Sequence, residues 1–265
     1  MARKSRKKAR AGRKDQSWLA CVLGSGDNFG GYLEQSRGLA LSFVLIAPLL
    51  LAYEVALLYY PPAQPRGAGR FLKDIFYAVF HTRAGMALNI IVALLLLLAI
   101  FLLARRRRLR LSFIIPMVLE SAGWAVVLVG IAVLICYRLP NVRLDIGAAG
   151  SAVFSDVINS IGAGVYEEIL FRLLLTSILF LGGLRIFRQR TGCAAAFAAL
   201  ISAAIFALCH VWAWNEPFKD PQILFYLLFY FTSGVFFAVL YTFRGLGVAV
   251  YTHVIYDVVV LLGSG

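Results

Sequence analysis

Stretches of about twenty residues carrying almost no charge recur along this chain, and they constrain its fold more than any other feature. A helix needs roughly 20 apolar residues to cross the hydrocarbon core of a bilayer. Seven stretches meet that length, at about 39 to 60, 84 to 104, 112 to 137, 160 to 182, 192 to 213, 221 to 243 and 245 to 263. Composition agrees: 61% of the 265 residues are apolar, against about half in soluble domains. Only 15% are charged, yet Lys and Arg number 26 against 13 acids, a formal net charge of +13. That charge sits in clusters between the apolar stretches, which excludes a soluble enzyme, a disordered tail and a nucleic-acid-binding module. The expected fold class is all-α, a polytopic transmembrane helical bundle of about seven spans. One or two amphipathic surface helices are expected with it. Residues 69 to 82 mix Phe71, Ile75, Phe76 and Val79 with Arg70, Lys73 and Asp74, as a helix lying in the interface does, and residues 151 to 159 are the second candidate.

Basic residues in short loops stay on the cytoplasmic side. With the N-terminus inside, cytoplasmic segments hold eighteen Lys and Arg and the outer loops seven, Arg172 being the one within a span. The reading is therefore N-terminus in, C-terminus out. Three segments follow: a basic cytoplasmic stretch at 1 to 38, N-terminal transmembrane helices at 39 to 150, and a C-terminal transmembrane core at 151 to 265. Eight basic residues between Arg3 and Lys14 read as an orientation signal that also touches anionic headgroups of the bilayer, rather than as a nucleic-acid arm. Thirty-eight mostly polar residues precede the first span, which is expected to stay as an anchor. Cys21, Cys136, Cys193 and Cys209 lack any CxxC pair and are expected to be packing residues, not a disulfide or zinc framework.

Ionisable side chains inside a span cost a few kcal/mol on insertion scales, so each needs a partner or a role. They gather in the C-terminal half. The fourth span begins Tyr166-Glu167-Glu168-Ile169-Leu170-Phe171-Arg172. Glu168 and Arg172 lie one turn apart and can form an ion pair. Adjacent acids diverge by about 100° on a helix, so Glu167 is expected to serve a different partner from Glu168, as a base or metal ligand. The fifth span ends with Phe206 and His210 one turn apart, and the last contains His253 and Asp257 at the same spacing. Two of the chain's three histidines thus fall on late spans at depths where they can meet Glu167. Glu54 and Glu120 are expected to face the same cavity or pair with Arg172, without catalytic roles, and His81 reads as a surface residue.

The set EExxxR, FxxxH and HxxxD on three separate spans resembles the CAAX-protease and bacteriocin-processing family of intramembrane endopeptidases, over roughly residues 150 to 263. The resemblance implies peptide-bond hydrolysis within the membrane. It also implies a catalytic set of Glu167, His210, His253 and Asp257, with Glu168 and Arg172 completing the first motif. Glu167 paired with His210 is the candidate for activating water, and His253, held by Asp257 or acting beside it, for stabilising the oxyanion. The cofactor is open. A zinc ion would take Glu167, His210 and His253 as ligands, but the HExxH pattern is absent, and a metal-free reaction is preferred. The expected partner is a membrane-anchored or lipidated protein or peptide. Eukaryotic members of the family cut prenylated proteins on the cytosolic side. The orientation above puts this site in the outer half of the membrane, where an exported protein with a C-terminal anchor is the expected substrate. Two alternatives are a proton-coupled transporter, disfavoured because the halves show no internal repeat, and a non-catalytic bacteriocin-immunity-type scaffold.

Overall fold

A computed structural model describes residues 32–59, 111–138, 153–212 and 222–263, with isolated helical positions at 94, 97 and 101. A short helix α1 (Tyr32–Ser36) leads into α2 (Leu39–Tyr59), and a single 3-10 turn opens α3 (Ile114–Arg138). Next come α4 (Val153–Glu167), a π-helical segment (Glu168–Thr176) and α5 (Ser177–Ile186), which run end to end as one long helix. The bundle is completed by α6 (Thr191–Trp212), α7 (Ile223–Arg244) and α8 (Leu246–Gly263). Among the described residues every regular element is helical, and six helices are long and apolar enough to cross a membrane. The protein is an integral, multi-pass helical membrane protein. The expected stretch at 84 to 104, the amphipathic stretch at 69 to 82 and His81 lie outside the described residues, apart from the isolated positions.

Of the stretch expected at 151 to 159, the described residues 153 to 159 do not form a separate surface helix. From Val153 onward they are the first turns of α4 and continue into the fourth span. Ile158 is buried at 3% exposure in a core with Ile46 and Val250, so this end of the helix is held in the bundle rather than laid along a surface.

Helix α8 is the hub. It packs against α2, α3, α4 and α7, and residues 246 to 250, 252 to 254 and 256 are all buried. A helix apolar on every side belongs inside a bundle. By contrast Leu51, Ile115, Val126, Ile178 and Leu224 are 64% to 75% exposed, which suits a lipid-facing surface. Small residues allow the close approaches that pack membrane helices. A Cβ on Gly164 would stand 2.6 Å from Val254 Cγ2, and one on Gly234 2.9 Å from Ala203 Cα. Gly245, at φ +86°, makes the turn from α7 to α8, against the Arg37 backbone.

The N-terminal helices are integral to the bundle. Arg244, at the end of α7, forms a fork onto Glu120 of α3 through Nε and Nη2, and Nη2 also donates to Ser36 Oγ at 3.0 Å. The Tyr32 hydroxyl donates to Glu120 at 2.5 Å. Partial burial, and then the Glu120 carboxylate, push the Tyr32 phenol up to about 12, so it keeps the proton it donates.

Candidate active site

Glu167 closes α4 and Glu168 opens the π segment. A π turn inside a spanning helix is rare and is found disproportionately at functional sites. Here its wider register is matched by the Thr176 hydroxyl, which donates to the Phe171 carbonyl five residues back at 2.7 Å. The two carboxylates, at 2% and 0% exposure, are removed from solvent. Glu168 Oε2 lies 3.3 Å from Arg172 Nε, the expected ion pair. Arg172 is itself buried at 1%, and its guanidinium sits 4.5 Å from the Phe206 ring centroid and 5.3 Å from that of Phe237. Aromatic faces thus supply part of the compensation that water would give a free cation.

Both acids reach the same histidine. Glu168 Oε1 is 2.8 Å from His253 Nδ1, and Glu167 Oε2 is 3.8 Å from His253 Nε2. The expectation that adjacent acids must serve different partners fails because an imidazole offers a nitrogen on either side of its ring. His253 lies between them, stacked on Phe237 with centroids 4.6 Å apart. Its Nδ1 partner is Glu168, whereas Asp257 Oδ2 faces Nε2 at 3.7 Å. The residue that holds this ring is therefore Glu168, and Asp257 stands on the side turned toward Glu167.

His210, near the end of α6, approaches Glu167 Oε2 through Nε2 at 3.4 Å. Its Nδ1 lies 2.9 Å from the Phe206 carbonyl. A carbonyl only accepts, so Nδ1 carries the proton, and in the neutral ring Nε2 offers a lone pair toward Glu167. Tyr230 of α7 stacks on the imidazole with centroids 4.5 Å apart. Nothing in the sequence spacing singled out Tyr230 or Phe237. Both sit in apolar stretches where an aromatic residue looks like any other packing residue.

Glu167, His210, His253 and Asp257, taken from three separate helices, are thus brought together, with Glu168 and Arg172 behind them. Glu54 and Glu120 are engaged elsewhere: Glu54 accepts from the Tyr166 hydroxyl at 2.8 Å, and Glu120 is taken by Arg244. Among the described residues no group of three or more His, Cys, Asp or Glu is arranged to hold a metal ion.

Chemically the centre offers two acceptors facing one another, the Glu167 carboxylate and His210 Nε2, beside a histidine whose second nitrogen faces the same space. No curated protein and no solved structure matches the chain. Residues 149–259 match the family model described as Type II CAAX prenyl endopeptidase Rce1-like. That stretch runs from just before α4 into α8 and contains all seven motif residues. Over those residues the chain is similar to that endopeptidase family, which supports the resemblance carried by its EExxxR, FxxxH and HxxxD motifs.

Proposed function

We propose that the protein is an intramembrane endopeptidase that hydrolyses a peptide bond near the C-terminus or membrane anchor of a membrane-associated protein, using water activated by Glu167 and His210. One observation carries this reading: a buried carboxylate, Glu167, wedged between the Nε2 atoms of two histidines at 3.4 and 3.8 Å on different helices.

Glu167 and His210 Nε2 both accept, so they call for a donor between them. A water placed off their axis donates to each and has its oxygen lone pair free for attack. As the oxygen bonds to the scissile carbonyl carbon, Glu167 takes a proton, which it later delivers to the leaving nitrogen as the C–N bond breaks. The carbonyl oxygen becomes an oxyanion, and His253 Nε2 is the donor placed to receive it. Because Glu168 holds the Nδ1 proton, donation from Nε2 requires the ring to carry both protons. The carboxylates of Glu167, Glu168 and Asp257 lie around it. No step is routed through a metal. Incubation with phenanthroline is expected to leave peptidase activity of the purified protein unchanged, and loss that zinc restores would reverse that expectation.

The N-terminus is proposed to lie in the cytoplasm of a bacterial cell, with the site in the outer half of the inner membrane. The substrate class is then an exported protein with a C-terminal anchor. The test compares protein termini in host membranes between wild type and Glu167→Gln by mass spectrometry. A set of C-terminal fragments that vanishes while uncut precursors accumulate supports hydrolysis. Unchanged termini, with the variant stably inserted, would shift the reading to proton-coupled transport through the same buried acids and histidines.

A further inference from the structure

A cavity of about 120 Å³ lies where the α1–α2 turn meets the start of α5, α6 and the end of α7. It is set apart from the catalytic centre along the bundle, although Thr176 on its wall lies one turn beyond Arg172. Ala195 on its wall and His210 are fifteen residues apart on α6, about 22 Å at the rise of an α-helix. The cavity shares this end of the bundle with the exposed Arg185, Arg188 and Arg190.

Its polar lining has donors to spare and no carboxylate. Arg37 lines the cavity, and its Nε is buried with no hydrogen-bond partner. Such a group costs about 1–3 kcal/mol if left unmade. Ser177 Oγ and Tyr241 OH, also on the wall, share one hydrogen bond at 3.1 Å. Whichever oxygen accepts in that pair, its own proton is left for another acceptor. A guanidinium N–H and a hydroxyl proton therefore point to a ligand rich in acceptors and negatively charged. The remaining wall, with Leu39, Phe180 and Ala195, is apolar. That pairing of a cationic, donor-rich corner with a greasy wall matches a phosphate attached to glycerol and acyl chains.

We propose that this cavity is a binding site for the phosphate oxyanion of a membrane phospholipid, held by Arg37 and the Ser177–Tyr241 pair. The experiment follows thermal unfolding of the purified full-length protein in neutral detergent, titrated with dioleoylphosphatidylglycerol, with dioleoylglycerol, or with inorganic phosphate. Phosphatidylglycerol is expected to raise the unfolding temperature saturably, while dioleoylglycerol, which lacks the phosphate, does not. Arg37→Gln is expected to lose tenfold to a hundredfold in apparent affinity, as removal of a charge-assisted bond does. Ala195→Leu fills the cavity without touching a charge and is expected to abolish the shift, which keeps the test decisive if Arg37→Gln fails to fold. Arg188→Gln removes an exposed arginine at the same end and is expected to respond as wild type. A shift with inorganic phosphate alone would support the oxyanion site and assign a free phosphate as its occupant. Equal shifts with phosphatidylglycerol and dioleoylglycerol, or wild-type responses from both Arg37→Gln and Ala195→Leu, would overturn the proposal.

Discussion

At the scale of single residues, the two adjacent glutamates separate by what each can lose. Glu167 faces two histidine Nε2 atoms, and Glu168 joins His253 to Arg172. Glu167→Gln keeps the shape and removes the base. Turnover on a fluorogenic membrane peptide is expected to fall by about 10²- to 10⁴-fold, the usual contribution of a general base, with little change in unfolding temperature. Glu168→Gln strands a buried arginine, a change that typically costs about 3–5 kcal/mol, and is expected to lower the unfolding temperature as well as the activity. The double variant Glu168→Gln/Arg172→Met removes the stranded cation. It is expected to recover stability without activity, because His253 Nδ1 still faces an amide instead of a carboxylate. Activity that returned along with stability would remove Glu168 from the site. Only part of this was legible in the sequence. The i,i+4 spacing of Glu168 and Arg172 announces their pair, since one helical turn dictates it. That His253 comes between the two acids depends on how α8 seats against α4, and no local spacing carries that information.

At the scale of elements, the site depends on how closely α4 and α8 approach. Gly164 lies one turn before Glu168, and Val254 directly follows His253. A Cβ at Gly164 would come within 2.6 Å of Val254 Cγ2 and 3.1 Å of its backbone nitrogen. A methyl group there has no flexible side-chain tip to displace, so the helices must part. Gly164→Ala is expected to cost about 1–3 kcal/mol, as overpacking does, and to reduce turnover more than the affinity for substrate. The same mutation at Gly182, where a Cβ meets nothing within 4 Å, is the control and is expected to be silent in both assays. Activity of Gly164→Ala equal to that of the control would mean that the α4–α8 spacing does not set the chemistry. Hydropathy placed the described spanning helices closely, because a bilayer demands long apolar runs whatever their neighbours. It did not reveal the π segment at Glu168–Thr176 or the continuation of α4 back to Val153. The first is a change of hydrogen-bond register, and the second is settled by Ile158 packing on α2 and α8 rather than by polarity.

At the scale of the whole molecule, the two polar centres lie toward opposite ends of the bundle, and the lipid environment tells those ends apart. Arg37, Arg185, Arg188, Arg190 and Arg244 gather at one end, while His210 ends its helix near the other. Positive loops are retained in the cytoplasm during insertion, so the arginine end should face inward and the catalytic centre should open nearer the outer leaflet. Helix α2 serves both ends, with Arg37 just before its start at the cavity and Glu54 near its end accepting from Tyr166 beside the catalytic acids. That continuity gives orientation a direct bearing on substrate choice, because a protease opening outward meets exported anchors and not cytosolic ones. The check is labelling of single-cysteine variants in intact cells, after replacing Cys21, Cys136, Cys193 and Cys209. A membrane-impermeant maleimide is expected to modify a cysteine placed in the 214 to 220 segment, and to modify one at Gln189 only after the membrane is opened. The reverse pattern would turn the molecule over, move the catalytic centre to the cytoplasmic leaflet, and make a cytosolic lipidated protein the substrate to seek.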